Sequence, residues 1–258
     1  MERTGMKSSE PATNQRILAS AREVFLEKGF RSATVREIAV RAKANIASIH
    51  YHFQDKETLY LTVIDDFLAG LFDKYPANNG KERSLPPEQR LAAFVRSFML
   101  RIYMGAKTSE DKTMIRLAAR EFSSPSTPLP LLADRRISPM VVTLHEIIDA
   151  LLGLETPKRI KALCVSAVWG QCMHHAHFAT PVTAGVLPDN PSQDEVEALA
   201  DDISCFSLSG IQGILNKYGI SPSHGVPWTA QAMGAGTETG HLEKGSHKPE
   251  SSLPGHRQ

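Results

Sequence analysis

The chain has 258 residues, 41% hydrophobic and 22% charged, a composition that supports folded domains with their own cores and excludes a fibrous or wholly disordered protein. No apolar run is long enough to cross a bilayer, and the N-terminal residues lack the apolar segment of a secretion signal, so the expected compartment is cytoplasmic. Net charge is only +1, yet residues 12–56 hold eight basic side chains against four acidic ones, so a polyanion would prefer the N-terminal end.

Residues 1–11 are polar and are expected to form a flexible N-terminus. A first helix begins near Thr13, with Ile17, Leu18, Ala21, Val24 and Phe25 on one face. It should stop at Gly29, where Phe30 can fold back on Phe25. Thr34 and Glu37 have the spacing of a capping box that opens a second helix, carrying Ile38 and Ala39 inward and running to about Ala42. Asn45 caps a third, very short helix. Asp55 caps a fourth, whose apolar stripe Leu59, Val63, Phe67 and Leu71 joins the two halves of the chain.

Pro76 to Pro87 reads as a loop. Further helices are expected near 88–105, 110–123, 129–152, 157–179 and 192–217, with Pro157 in a first turn and Ser192 with Glu195 as a second capping box. No strand pattern competes. The Gly-, Ser-, Pro- and His-rich residues 221–258 read as a disordered tail. The expected fold is therefore all-α, with an N-terminal three-helix helix-turn-helix domain over 12–58 and a larger helical domain over 59–220.

In a helix-turn-helix the second helix of the pair lays its N-terminal residues against base edges in the major groove. Ser48 and His50 have the hydrogen-bonding groups to read base edges, and Ile46 and Ala47 can meet thymine methyl groups. Thr34, Arg36, Lys43, Tyr51, His52 and Lys56 are placed to reach the phosphates that set register. Lys56 is the strongest of these, because its ammonium sits with the free amides of a helix first turn. A catalytic or metal-binding pairing of His50 with His52 is rejected, since residues two apart fall on different faces of a helix.

The segments Thr34-Val35-Arg36-Glu37-Ile38-Ala39 and Asn45-Ile46-Ala47-Ser48-Ile49-His50-Tyr51-His52-Phe53-Gln54-Asp55-Lys56-Glu57-Thr58-Leu59-Tyr60 resemble the DNA-binding signature of the TetR family of transcription regulators. The resemblance covers roughly the first quarter of the chain. It implies an all-helical homodimer, a palindromic double-stranded operator, and a C-terminal ligand-binding and dimerisation domain whose small-molecule effector alters the separation of the two heads. Two departures stand out: Lys43 occupies a turn position where the family commonly has Gly, and Ala47 stands where Gly is frequent. A strained turn and an altered base contact follow. Ala119-Arg120-Glu121-Phe122-Ser123-Ser124-Pro125 and Val168-Trp169-Gly170-Gln171-Cys172 resemble the CecR-like subgroup, which implies control of membrane transporters or drug sensitivity.

In the C-terminal half, Leu163, Ala167 and Gly170 followed by Leu199, Ile203, Phe206, Gly210 and Ile214 form stripes of small and large residues that suit a four-helix dimer interface, or else an ordinary monomer core. Arg120, Glu121, Gln171 and His175 are the candidate polar groups of an effector pocket walled by Phe122, Trp169 and Met173. The alternative is a solvated helix end and a core tryptophan. His174, His175 and His177 could mark a metal sensor or a helical enzyme, but further ligands in tetrahedral array are lacking, and no phosphate loop, nucleophile elbow or paired-carboxylate motif is present. No catalytic residue, metal or cofactor is expected. Cys164, Cys172 and Cys205 are expected to be reduced and mostly buried, with a redox sensor as the sharper alternative. A nonspecific architectural DNA protein is the third reading, and the small net charge weighs against it.

Overall fold

The computed structural model describes residues 10–76, 84–123, 137–153, 155–177 and 185–221. Among these, the regular elements are helices: α1 (Glu10–Ser32), α2 (Val35–Arg41), α3 (Ile46–Phe53), α4 (Lys56–Lys74), α5 (Pro87–Tyr103), α6 (Ser109–Ser123), α7 (Ser138–Leu152), α8 (Lys158–His175) and α9 (Gln193–Tyr218).

Local side-chain chemistry sets most of the helix starts. The Asn45 side chain accepts from Ala47 N at 3.0 Å, and Asp55 accepts from Thr58 N at 2.7 Å. At α9 the capping box is complete, with Ser192 Oγ accepting from Glu195 N and the Glu195 carboxylate accepting from Ser192 N. The box expected at α2 is half formed. Thr34 accepts from Glu37 N at 3.2 Å, but the Glu37 carboxylate turns to Lys28 at 2.7 Å and Arg41 at 3.4 Å, because cations from α1 and α2 outcompete a backbone amide.

Three other expectations need correction. The first helix does not end at Gly29 but bends there, at φ 69 and ψ 173, and resumes to Ser32. Phe30 still returns to Phe25, with ring centroids 6.5 Å apart. Pro157 is the residue before α8, not part of its first turn, and α8 ends at His175 rather than at 179. Of the helix expected over 129–152, residues 129–136 lie outside the described residues, as do most of the N-terminal segment 1–11 and nearly all of the tail 221–258.

Helices α1 to α3 pack with the start of α4 into a head whose core holds Ile17, Val24, Phe25, Ile38, Ile49, Phe53 and Tyr60. In the body, α5 is central and is packed by α4, α7, α8 and α9, with α9 covering it most extensively. Leu91, Phe94, Val95, Phe98 and Ile102 form its buried stripe. Helix α6 closes against α4 and α1, so α4 and α6 both contact head and body. Among the described residues, no helix is long and apolar enough to cross a membrane.

Candidate functional site

In the head, α2 and α3 are joined by a short turn in which Lys43 adopts φ 49, the left-handed region that disfavours a side chain. The local consequence of having Lys where Gly is commonplace is therefore a strained residue at the turn itself. Ile49 and Phe53 anchor α3 in the core, which turns its other faces outward: Ile46, Ala47, His50 and Tyr51 are exposed, while Ser48 and His52 are half-buried. His50 Nδ1 lies 2.7 Å from Gln54 O, and the Tyr51 and His52 rings meet edge on at 5.1 Å. The four proposed base-reading side chains thus share the first turns of α3, which begin at the Asn45 cap.

Of the residues expected at phosphates, Arg36 and Lys43 are exposed, and Thr34 is exposed with its hydroxyl oxygen engaged in the cap. Lys56 is placed differently from expectation. Its Nζ donates to Phe30 O at 3.0 Å and Ala33 O at 3.2 Å and lies 4.5 Å from the Phe30 ring, so two of its three hydrogens tie α4 to the end of α1. One remains for a phosphate. Behind this surface Arg41 forms a two-pronged pair with Glu27 at 2.6 and 2.5 Å and approaches Glu37 and Glu23. That side chain bonding holds the Glu27 carboxyl below its ordinary value and the Arg41 guanidinium above its own. Arg41 is consequently a brace between α1 and α2 rather than a spare cation for DNA.

The body contains a partly open apolar cavity of about 70 Å³ bordered by α4, α5, α6, α7 and α8. Leu68, Leu71, Phe72, Phe98, Phe122, Trp169 and Met173 form much of its wall, and the rings of Phe98 and Trp169 meet edge on at 5.7 Å. Phe122, Trp169 and Met173, expected to wall an effector pocket, come together at this cavity. The four polar candidates are not in the wall. Arg120 and Glu121 turn toward Tyr60, Gln171 donates to Ala167 O and Ser207 Oγ, and His175 pairs with the Tyr103 hydroxyl at 2.8 Å. Each is held by partners outside the cavity.

The polar group that does line the cavity is Arg101, which sequence reasoning missed. It is only 5% exposed, and burial pulls its guanidinium down to about 10. The signal was available, because Arg101 interrupts the apolar stripe of α5 three residues after Phe98. Close by, Gly105 admits no side chain: a Cβ there would stand 2.3 Å from Arg101 O and 2.4 Å from Leu71 Cδ2.

Residues 17–63 match the family described as bacterial regulatory proteins, tetR family, and residues 87–211 match the C-terminal domain of the HTH-type transcriptional dual regulator CecR. CecR of Shigella flexneri is 31% identical over 180 residues, covering 67% of this chain and 79% of that protein. The chain belongs to the TetR family of transcriptional regulators. The repressor KstR2 of Mycolicibacterium smegmatis is 34% identical over 91 residues, 35% of this chain and 44% of that one. A crystal structure of a tetR-family regulatory protein from Rhodococcus RHA1 shares the fold at TM-score 0.53 and 17% identity, covering 77% of this chain and 96% of that chain.

In this TetR-family chain α8 and α9 present an outer face that the single subunit leaves open. Leu163 is 49% and Phe206 71% exposed, with Ala167, Gly170 and Gly210 exposed beside them. Leu199, Ile203 and Ile214, expected on the same face, instead turn inward: Ile203 is buried, and the other two pack partly buried against the core. Their side of α9 faces α5, which covers it.

The cysteines divide in the same way. Cys164 and Cys172 are buried and their thiols are pushed up, that of Cys172 to about 12, whereas Cys205 is exposed, so two of the three are buried in line with the expectation of a mostly buried set. Among the described residues no three His, Cys, Asp or Glu side chains converge as a metal site, and His177 is exposed while His175 is buried.

Proposed function

We propose that this TetR-family regulator works as a homodimer that holds a palindromic operator with two copies of α3 and releases it when a small molecule occupies the body cavity. The observation that carries the reading is the two-sidedness of α3, in which Ile49 and Phe53 fix the helix while Ile46, Ala47 and His50 stay outside. Division of the chain at 58/59 falls in the first turns of α4, so this helix belongs to both parts: Leu59 and Tyr60 lie in the head core, while Leu68, Leu71 and Phe72 border the cavity. Filling the cavity therefore acts on the helix that carries the head. By linkage, an effector that favours the released arrangement binds less tightly when operator is present.

Two heads reading successive major grooves of one DNA face need a rigid pairing of subunits, and the exposed α8–α9 face supplies apolar area for it. Small residues at Ala167, Gly170 and Gly210 let facing helices approach closely. The test is selection of bound sequences from a random DNA pool at rising salt. Recovery of one short palindrome at every salt level is the expected result; unenriched DNA that vanishes with salt would overturn specific recognition. Ser48→Ala and His50→Ala are each expected to cost about 1–3 kcal/mol and to alter the recovered palindrome. An unchanged palindrome in both variants removes α3 from the role of reading helix.

A further inference from the structure

The guanidinium of Arg22 stands where three helices meet. Arg22 belongs to the head, on α1; its guanidinium carbon lies 5.2 Å from the ring centre of Phe67 on α4, and Nη2 donates to Asp111 Oδ1 in the first turn of α6 at 3.1 Å. Nε is buried without a partner, so the ion pair and the ring place the group, not its full set of donors. Asp111 is held in turn. Its Oδ2 accepts from Thr108 N at 3.2 Å and its own amide donates to Thr108 Oγ1 at 3.0 Å, a reciprocal cap that fixes the carboxylate to the start of α6. The next residue, Lys112, donates at 3.1 Å to Asp189 O, in the segment that leads into α9. The start of α6 therefore grips the head on one side and the approach to the proposed pairing helix on the other.

We propose that the Arg22–Asp111 pair sets the angle of the head about α4 and so determines the half-site spacing that the dimer accepts. The inference rests on the reading of the protein as a dimer on a palindrome. Helix α4 runs from head to body, and a single rod leaves rotation about its own long axis as the least hindered motion. The bond from Tyr60 to Glu121 starts on α4 itself and has a short lever arm against that rotation. The Arg22–Asp111 pair instead joins two neighbours of α4, each one helix spacing, about 8–10 Å, from its axis. Asp111 and Glu121 lie about 15 Å apart along α6, so the two ties do not share one pivot. Each base pair inserted between half-sites turns one about the DNA by roughly 35° relative to the other. A head fixed in angle accepts one spacing, and a head free to twist accepts several. Ion pairs at partial exposure contribute little to folding, so the part this pair plays is in orientation.

The experiment selects bound sequences from a pool in which two random half-sites are separated by spacers of graded length, using the full chain and its Arg22→Gln and Asp111→Asn variants. Asn keeps an oxygen for the Thr108 amide, and the change lies in the body, so loss of a DNA contact by Arg22 itself does not imitate its effect. The unaltered chain is expected to return one spacing. Each variant should return the same half-site sequence at several spacings, bind the original operator about fivefold or more weakly, and melt within about 4 °C of the unaltered chain. The double variant should relax the spacing no further than either single one. One and the same spacing from all the proteins overturns the proposal and leaves specific recognition standing. Relaxed spacing in Arg22→Gln but not in Asp111→Asn also overturns it, because the effect then does not depend on the body. No palindrome from the unaltered chain overturns both that recognition and the proposal.

Discussion

The Tyr60 hydroxyl on α4 donates to Glu121 Oε1 on α6 at 3.2 Å, and both side chains are completely buried. Arg120 completes the group from a half-exposed position, donating to Glu121 at 3.3 Å and to the Tyr60 oxygen at 3.4 Å. Burial and then the Glu121 charge push the Tyr60 hydroxyl up to about 12, so it remains a donor throughout the neutral range. The same ring packs against Phe25 and Phe30 at 4.9 Å each, which makes it a joint between head core and body. Tyr60→Phe is therefore expected to lower stability by about 1–3 kcal/mol, the worth of a hydrogen bond to a charged group. A urea-unfolding cycle with Glu121→Gln should give a coupling of about 0.5–3 kcal/mol; additive effects would show that the two side chains are merely neighbours.

Lys43 separates backbone strain from DNA contact. Its left-handed conformation at φ 49 costs a side-chain-bearing residue about 1–2 kcal/mol, and Gly removes that cost while adding about 0.4–1 kcal/mol of unfolded-chain freedom. Lys43→Gly should consequently leave stability unchanged or raise it by up to about 1.6 kcal/mol. If the exposed ammonium meets a phosphate, the same variant weakens DNA binding and flattens its salt dependence by about one contact. A melting curve and a salt titration of operator affinity decide the two parts independently. A clear loss of stability would refute the strain argument.

The elements that could be read from the sequence are those written in short-range chemistry. Asn45, Asp55 and the Ser192–Glu195 pair each act within three residues, and each caps its helix as its spacing requires. The half-formed box at Glu37 was not legible, because Lys28 reaches it from another helix. Nor was the inner face of α9. That helix has apolar residues on more than one side, and only its packing on α5 determines that Ile203 is covered while Phe206 is left outside. The cavity shows both situations at once. Phe122 and Trp169 stand in its wall, but their sequence neighbourhood does not say which polar side chains join them: Arg120 and His175 turn to Tyr60 and Tyr103, whereas the arginine in the wall comes from α5.

Phe206 provides a direct test of the subunit pairing. Because its side chain is 71% exposed in the single subunit, Phe206→Asp removes little from the subunit's own core. A carboxylate at the centre of an apolar interface, by contrast, must be desolvated on association. The expected outcome is a folded monomer by light scattering and helical circular dichroism, with operator affinity reduced because only one head engages each half-site. A dimer that persists with unaltered affinity would move the interface away from α9.

His175 should make stability depend on acidity in a predictable direction. Burial first, and His174 second, hold its ring below the ordinary value of 6.5, while its Nδ1 lies 2.8 Å from the Tyr103 hydroxyl. As pH falls through 6.5 the unfolded chain takes up the proton before the folded one does. The contribution of the neutral ring is thus complete above that value and is lost progressively as pH approaches the lower folded value. Burial pushes the Tyr103 hydroxyl up to about 12, so tyrosine ionisation does not intervene in this window. Urea midpoints of the unaltered chain and His175→Gln, followed downward through 6.5, should converge as the histidine loses its advantage. Parallel curves would mean that His175 takes up its proton equally readily in both states.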